Sequence, residues 1–383
     1  MNEARSRPAD YILPATNNPK IKACLELPCP CYRDGHVRQQ SLPKTTYRSW
    51  SCSKCKQTLL YGFDEFVYCS CGQAKCQTLE FKCTSAEHGD SFLRFTASSL
   101  QPFLDKSKPE LNILVMGETG VGKTTWINGL ANYFHFKTLD EAVSKGASFP
   151  VPAFFILPDP VTYEDIKIEI GEDENEQHVA GEIATRKSKL HQLTLDGMSL
   201  NIIDTPGVCN SSETDETSFK NIKTYLGLCE FSRLHGICIL LKPNSSRMNI
   251  VFETCFTELL EMLPRDALKN IVFCFTNTRT KEPGDSVPML RTLLETLNIS
   301  DEVSLARDTI YCTDNEGIRY LAVAETMRHT VFDQLTNYLE ANKKSFESSW
   351  MKSVLESQRM VDYLLGLKPC RFEVDATITT PKY

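Results

Sequence analysis

A glycine-rich segment in the first third of the chain could bind phosphate groups. It reads GETGVGKTT and fits the pattern G-x-x-x-x-G-K-[ST]. The glycines allow the backbone to curl until successive N–H groups point inward at phosphate oxygens. The lysine is expected to contact the β- and γ-phosphates and to act in catalysis, and the threonine after it to ligate Mg²⁺. The predicted nucleotide-binding residues of this segment are Gly117, Glu118, Thr119, Gly120, Val121, Gly122, Lys123, Thr124 and Thr125.

A second candidate element is the sequence DTPG, which follows the apolar run LNII. A carboxylate at the end of a buried strand is costly unless something neutralises it. Mg²⁺ would do so if Asp204 lay beside Thr124, and Gly207 could place its N–H against a γ-phosphate. Asp204 and Gly207 are therefore added to the predicted site.

A threonine on a mobile segment is expected to complete the magnesium shell when a triphosphate is bound. Thr185, in GEIATR just before the run LHQLTL, is the choice, and it is assigned a catalytic role together with Lys123. Thr162 and Thr138 are the alternatives. Arg186 could neutralise developing charge, although a plain surface arginine is the favoured interpretation.

Strands and helices are predicted to alternate from Leu111 onward, which is typical of a mainly parallel sheet with helices on its faces. LNILVM precedes the phosphate loop, and a helix over about residues 123–134 follows it. The runs LHQLTL and MSLNII are joined by Asp196-Gly197, a dipeptide suited to a tight hairpin. One antiparallel hairpin strand is therefore expected in the sheet. Beyond the last strand, helices are predicted over about residues 316–340 and 346–365.

Composition and charge exclude several classes of function. The chain has 383 residues, of which 41% are hydrophobic and 24% charged, as expected for two or three globular domains. A net charge of -7 argues against nucleic-acid binding through a basic field. The first residues lack the apolar core of a secretory signal, and no apolar run approaches the roughly 20 residues of a membrane span. A cytoplasmic location is therefore expected.

Six motifs follow one another along the chain: GETGVGKTT, GEIATR, LNIIDTPG, GICILLKPN, NIVFCFTNTRTKEPGDS and YCTDNEGIRYLA. In this order they resemble a large group of G-domain proteins related to the septin-like and avirulence-induced, immunity-associated GTPases. The resemblance covers roughly residues 110–370. It implies a guanine nucleotide (GTP or GDP), with Asn277 and Asn315 facing the base beside Arg279 and Asp314. It also implies assembly of G domains into a homodimer or oligomer across the nucleotide face.

Two departures from the usual pattern bear on selectivity and rate. The guanine-reading element N-K-x-D is replaced by TNTRT, without an aspartate, at residues 276–280. Selectivity for guanine therefore rests on the resemblance, and an ATP-selective protein is an alternative. DTPG continues with VCNSS and lacks a glutamine to orient the attacking water. Slow intrinsic hydrolysis, stimulated by self-association, is expected.

Nine of the sixteen cysteines lie between Cys24 and Cys83. In a chain without a secretory signal, dense cysteines more often hold metal than form disulfides. The pairs C-x-x-C and C-x-C, separated by thirteen residues, resemble a zinc ribbon. The predicted ligands are Cys52, Cys55, Cys69 and Cys71, with Cys29, Cys31, Cys83 and His88 as a second site and His36, Cys24 and Cys76 as substitutes. Reduced metal-free cysteines and disulfides are the alternatives.

These predictions combine into an α/β protein. A Ras-like P-loop NTPase, with a mainly parallel sheet and a helical C-terminal extension, follows a small cysteine-rich zinc-binding module. The expected parts are a flexible tail (1–20), the cysteine-rich module (21–96), a linker (97–110), the G domain (111–340) and a C-terminal helix and tail (341–383). The predicted function is a Mg²⁺-dependent GTPase that acts as a switch or self-assembles, while the zinc module binds an unknown protein partner. The alternative is a scaffold that binds nucleotide without hydrolysing it.

Overall fold

The computed structural model describes residues 2–6, 22–28, 47–83, 92–94, 109–158, 162–171, 176–179, 182–185, 187–195, 197–208, 212–228, 233–243, 250–278, 283–328 and 333–371. The chain divides into two compact units. The first consists of Met1–Pro109 and Asp362–Lys368, and the second of Glu110–Val361 and Pro369–Tyr383. Among the described residues, no helix has the length and apolar character needed to cross a membrane.

The first unit is built from short strands. They are β1 (Glu3–Ser6), β2 (Ala23–Cys24), β3 (Glu26–Pro28), β4 (Tyr47–Ser49), β5 (Ser51–Cys52), β6 (Leu60–Tyr61), β7 (Phe66–Cys69), β8 (Gly72–Lys75), β9 (Leu79–Lys82) and β10 (Leu93–Arg94). They form two four-stranded sheets, in the orders β10-β9-β1-β5 and β2-β6-β7-β8, and the pair β3–β4. Trp50 and Phe81 are fully buried and meet edge to face, with ring centroids 4.7 Å apart. This aromatic pair lies in the core of the unit.

The second unit alternates strands and helices. Its elements are β11 (Glu110–Gly117), α1 (Lys123–Tyr133), α2 (Leu139–Lys145), β12 (Ala153–Pro158), β13 (Asp165–Ile170), β14 (Glu176–Val179), β15 (Glu182–Thr185), β16 (Lys189–Leu195), β17 (Met198–Asp204), α3 (Ser212–Leu228), β18 (Arg233–Leu234), β19 (Gly236–Leu241), α4 (Ile250–Met262), β20 (Ile271–Phe275), α5 (Ser286–Thr296), β21 (Ile310–Cys312), α6 (Glu316–Met327), α7 (Asp333–Gly366) and β22 (Cys370–Arg371). The last turn of α7 belongs to the first unit.

A six-stranded sheet in the order β16-β17-β11-β19-β20-β21 forms the centre of this unit. All neighbours are parallel except β16 and β17, which form an antiparallel hairpin. The predicted Ras-like fold and its single antiparallel hairpin strand are therefore confirmed. Strands β11, β19 and β20 are buried along almost their whole length, because parallel strands between helical layers have no solvent face.

The residues between α2 and β16 form two further hairpins, β12–β13 and β14–β15. The first packs against α6, where Leu157 and Ile168 meet Ala322 and Val323 in a small buried cluster. The second ends at Thr185, one of the predicted site residues.

The C-terminal helices differ from the prediction. Helix α6 ends at Met327, and one continuous helix, α7, runs from Asp333 to Gly366 through the expected break at residues 341–345. The segment ANKKS contains neither proline nor glycine, so nothing in it interrupts the backbone ladder. Lys343 within it also bonds to Asp140, with its Nζ 2.8 Å from a carboxylate oxygen.

Candidate nucleotide-binding site

The phosphate loop joins the central strand β11 to α1 at the carboxyl end of the parallel sheet. Gly120 and Gly122 have φ values of 71° and 99°, a left-handed conformation that favours glycine. A Cβ on Gly117 would lie 2.7 Å from the carbonyl oxygen of Leu240 on β19. The first turn of α1 follows at once, and the N–H groups of a helix N-terminus are suited to an anion. The loop therefore needs glycines for both its curvature and its packing.

Lys123 is folded back into this loop. Its side chain is 8% exposed, and its Nζ donates to the carbonyl oxygens of Gly117 (3.1 Å) and Glu118 (3.0 Å). Thr124 and Thr125 lie beside it in the first turn of α1 and are partly buried. The ammonium group is thus positioned inside the curl of the loop, where the phosphates of a bound nucleotide would meet it.

Asp204 ends β17 next to the central strand, in register with Val115. Its side chain is fully buried. One carboxylate oxygen, Oδ2, accepts a hydrogen bond from Thr185 Oγ1 at 3.5 Å and lies 3.8 Å from His191 Nε2. The other, Oδ1, is buried without a hydrogen-bond partner in the described part of the chain. Because an unsatisfied buried carboxylate oxygen is costly, this arrangement fits a bound Mg²⁺.

The three candidate threonines have different surroundings. Thr185 lies against Asp204, as described above. Thr138 is the N-cap of α2, where its hydroxyl accepts from the N–H of Glu141 at 3.2 Å. Thr162 accepts from the N–H of Glu164 at 3.3 Å in an exposed turn. Among these three, Thr185 is the one that the structure brings to the aspartate.

The DTPG segment lies directly on the phosphate loop. A Cβ on Gly207 would lie 2.1 Å from Oγ1 of Thr119 and 2.8 Å from its Cα. The N–H of Val208 donates to the carbonyl of Gly117 at 3.2 Å, and the N–H of Thr119 donates to the carbonyl of Val208 at 3.3 Å. A nucleotide bound in the phosphate loop would therefore lie next to residues 207–208 and could shift them.

The two loops expected to bind the base follow the neighbouring strands β20 and β21. They contact each other, since the N–H of Thr278 donates to the carbonyl of Thr313 at 3.3 Å. Asn277 is exposed and left-handed, with φ of 55°. Asn315 is 4% exposed, and both polar atoms of its side chain have partners: Tyr133 OH donates to its Oδ1 (3.0 Å), and its Nδ2 donates to Thr313 Oγ1 (3.2 Å).

Of the other residues predicted beside the base, one is described by the structure and one is not. Asp314 is 7% exposed and lies in the second of these loops. Arg279 lies outside the described residues, as does Arg186. In this structure the exposed asparagine of the pair is therefore Asn277, while Asn315 holds the second loop in place.

Thr276 is a site residue that the motifs did not indicate. It is 2% exposed, and its hydroxyl donates to the carbonyl of Val121 in the phosphate loop at 2.6 Å. The base loop and the phosphate loop are thus directly connected. A hydroxyl residue immediately after the buried strand IVFCF was the available signal, because the carboxyl ends of parallel strands meet at one edge of the sheet.

His191 was also missed. This histidine of β16 is 6% exposed, and its Nε2 lies 3.8 Å from Oδ2 of Asp204. Its only sequence signal is a histidine at an alternating position of the run LHQLTL.

The first unit holds a separate cluster of four cysteines. Cys52 ends β5 and Cys55 lies in the turn after it, while Cys69 ends β7 and Cys71 lies in the turn of the β7–β8 hairpin. Their four sulfur atoms are all within 4.8 Å of one another. A tetrahedral zinc site with Zn–S bonds of about 2.3 Å places its sulfurs roughly 3.8 Å apart. The cluster therefore fits a single zinc ion.

The thiols of this cluster differ in acidity. Desolvation opposes ionisation of Cys55, but hydrogen bonds from Ser70, Gln57 and the neighbouring thiols outweigh it and lower the pKa of Cys55 to about 6. Desolvation raises the pKa of Cys69 and of Cys71 above the ordinary thiol value. The group thus already favours one thiolate, the form that a metal requires.

The second predicted zinc site is only partly described. Cys29, Cys31, His36 and His88 lie outside the described residues. Cys83 is 1% exposed and Cys76 is 2% exposed, both in the core of the first unit. Burial raises the pKa of Cys24 and of Cys76 to about 12, so both are neutral thiols here.

The strand order, the glycine-lined loop and the buried aspartate beside it define a Ras-like G domain. Residues 168–347, just under half of the chain, match the AIG1 family. The chain is a G-domain protein related to the AIG1-type GTPases, which confirms the resemblance carried by its motifs. The matched range begins after the phosphate loop, so the assignment of that loop rests on its own geometry.

Similar solved structures include Toc33 from Arabidopsis thaliana. One crystal structure is a complex of Toc33 with GDP and Mg²⁺, at 14% sequence identity over 69% of this chain and 88% of that chain, with a TM-score of 0.37. A complex of Toc33 with Mg²⁺ and GMPPNP has the same identity and coverage and a TM-score of 0.36. No curated protein matches the chain significantly.

Proposed function

We propose that this chain binds GTP and GDP with Mg²⁺ and acts as a nucleotide-dependent switch. The observation that carries the proposal is the pairing of Lys123, held inside the phosphate loop, with Asp204, whose buried Oδ1 lacks a partner among the described residues. One group supplies positive charge for the phosphates, and the other supplies an oxygen for a divalent cation.

The chain's own residues then have separate roles. The loop N–H groups and Lys123 hold the phosphates, and Thr124, Thr185 and Asp204 supply the oxygens that would hold Mg²⁺. When bound, Mg²⁺ neutralises charge on the phosphate oxygens. Gly207 and Val208 already contact the loop, so a γ-phosphate entering there displaces their backbone bonds. This displacement is the proposed switch.

Nucleotide binding is tested by titration of the purified protein with fluorescent GDP, followed by competition with GTP and with ATP. Replacing Lys123 by alanine should weaken GTP binding at least about a hundredfold, because its charge-assisted contacts with the β- and γ-phosphates are lost, at about 1.5–3 kcal/mol each. Lys145→Ala, at an exposed lysine of α2, is the matched control and should bind normally. Full affinity in the Lys123→Ala variant would refute the proposal, and preference for ATP would refute its guanine part.

Hydrolysis is a separate part of the proposal, and we expect a slow intrinsic rate. The residue after DTPG is Val208, which is 5% exposed and bonded to the loop. It offers no side-chain group to orient a water molecule. This observation also favours the second candidate, a scaffold that binds nucleotide without turning it over. Single-turnover measurement with GTP separates the two, since a scaffold releases no phosphate.

We also propose that the G domains self-associate and that this raises the rate. Specific activity should then increase with protein concentration, in parallel with the mass measured by light scattering. A specific activity that stays constant across the association range would exclude this part while leaving nucleotide binding intact.

For the first unit we propose a structural zinc ion held by Cys52, Cys55, Cys69 and Cys71. A closed four-thiolate site stabilises folding, and the unit is then available to bind a protein partner. Metal analysis should find at least one zinc per chain, and Cys52→Ser should lose it. Cys76→Ser, a buried cysteine of the same unit outside the cluster, is the control and should keep its zinc. Equal zinc contents in the two variants would rule out this site.

A further inference from the structure

Helix α7 carries a stripe of polar side chains that faces β21 and the two base loops. Each member lies three or four residues from another member, which places them all on one face of the helix. Each bonds to the backbone of another element. They are Ser349, Lys352, Ser353, Glu356 and Arg359.

The end of the stripe near the C-terminus covers the free edge of β21, the last strand of the central sheet. Glu356 Oε2 accepts from the N–H of Cys312 at 3.2 Å, and Arg359 donates to the carbonyl of Ile310 at 2.8 Å. These backbone groups alternate with Thr309 and Thr313, whose backbone groups bond to β20. The two side chains thus replace a missing neighbouring strand, which is a stabilising role.

The other end of the stripe reaches the base loops. The N–H of Asn315 donates to Ser353 Oγ at 3.4 Å, and the N–H of Gly317 donates to Ser349 Oγ at 3.3 Å. These N–H groups open α6, whose own N-cap residue makes no side-chain cap. Helix α7 therefore caps α6 from outside.

Lys352 bonds to the other base loop. Its Nζ donates to the carbonyl of Thr278 at 2.6 Å, while Thr278 itself contacts Thr313. Two adjacent residues of α7 thus hold both loops: Lys352 holds the loop after β20, and Ser353 holds the loop after β21.

We propose that Lys352 and Ser353 are positioning residues that fix the two base loops and thereby set the base-dependent part of nucleotide affinity. This inference rests on the proposed nucleotide-binding function. It makes α7 part of the nucleotide site, although the helix begins at residue 333, more than two hundred residues after the phosphate loop. Because Lys352 and Ser353 bond to the backbone of the two base loops, their loss should weaken binding of a nucleotide more than binding of its phosphates.

The test compares Lys352→Met with Arg359→Met in the full-length protein. Both replacements remove a cationic group and keep an apolar stem on the same face of α7. The affinities for GDP and for inorganic pyrophosphate are measured by competition with fluorescent GDP, and stability is measured by thermal unfolding. Lys352→Met should bind GDP about tenfold more weakly and pyrophosphate with unchanged affinity. Arg359→Met should lower stability and keep both affinities within twofold.

Two further variants keep the test decisive. Lys352→Arg retains a donor for the carbonyl of Thr278 and should restore GDP affinity. Ser353→Ala removes the acceptor for the Asn315 N–H and should weaken GDP selectively, which decides the matter if Lys352→Met does not fold. Equal losses for GDP and pyrophosphate, or no loss in either variant, would overturn the inference. Absence of GDP binding by the unmodified protein would instead refute the proposed function.

Discussion

The hydrogen bond between Thr276 and Val121 allows a quantitative prediction for the connection between the base loop and the phosphate loop. Thr276→Val removes the hydroxyl while keeping the shape of the side chain. The carbonyl oxygen of Val121 then loses its 2.6 Å donor and has no other in the described part of the chain. The carbonyl of Leu241, the second acceptor, keeps the backbone N–H of residue 276 at 2.9 Å. One buried acceptor is therefore left unsatisfied.

Such a loss costs about 1–3 kcal/mol of unfolding free energy. For a unit of about 250 residues this corresponds to a melting temperature lower by roughly 2–12 °C. The assay is thermal unfolding of the nucleotide-free protein. The relevant transition is the one that moves upward when nucleotide is added, since ligand stabilises only the unit that binds it. Nucleotide affinity should fall as well, because the phosphate loop loses one attachment.

Thr278→Val is the matched control. Thr278 is equally buried, and its hydroxyl donates to the carbonyls of Phe275 (3.4 Å) and Thr313 (3.1 Å). Both carbonyls keep backbone donors, so no acceptor is left unsatisfied and the cost should be about 0.5 kcal/mol. If Thr276→Val were no less stable than Thr278→Val, the hydrogen bond to Val121 would not be what joins the two loops.

Two other predictions follow from the same geometry. Gly207→Ala would place a Cβ 2.8 Å from the Thr119 Cα, so the phosphate loop or the DTPG segment must shift, at about 1–3 kcal/mol. Calorimetry should show weaker GTP binding by Gly207→Ala, and adding Thr119→Ser should not restore it. Unchanged GTP binding would contradict the close contact between residues 207 and 119. His235 tests pH dependence, because burial and then Arg233 lower its pKa to about 3 from the ordinary 6.5. Its neutral Nδ1 accepts from the N–H of Asn112 at 3.1 Å, so stability is fully present above pH 6.5 and is lost as the pH falls toward 3. Between pH 8 and pH 5 the loss should be about 2 kcal/mol in denaturant unfolding, and His235→Gln should abolish that part of the slope.

Sequence patterns correctly predicted the parts of this protein whose conformation is determined by residues close together in the sequence. The apolar runs that form β11, β19 and β20 are buried on both faces, so a continuous run of apolar residues is enough to identify them as inner strands of a parallel sheet. The phosphate loop is specified by glycines whose backbone conformation other residues rarely adopt. The four clustered cysteines also lie at one turn and one hairpin, so their spacing along the sequence was enough to predict that they come together.

Contacts between distant segments could not be predicted in this way. The bond from Thr276 to Val121 joins residues 155 positions apart, and the bond from Lys352 to Thr278 spans 74. A threonine after a strand or a lysine on a long helix has many possible roles, and periodicity does not choose among them. The predicted break in α7 failed for a related reason. The polar segment at residues 341–345 has neither proline nor glycine, and such residues are equally suited to the solvent side of a helix.

Asn315 shows how one residue type can satisfy two different demands. Asparagine forms hydrogen bonds with a base, and it also tolerates the left-handed conformation found here, with φ of 57°. The sequence does not separate these roles, whereas the bonds to Tyr133 and Thr313 occupy both of its polar atoms. Since the Asn315 side chain is also only 4% exposed, we expect selectivity for guanine, if the competition experiment finds it, to come from the loop after β20. Within the described residues of that loop, the exposed Asn277 has a side chain open to a base. Asn277→Ala should therefore reduce the ratio of GDP affinity to ADP affinity. An unchanged ratio would indicate that Asn315, and not Asn277, recognises the base.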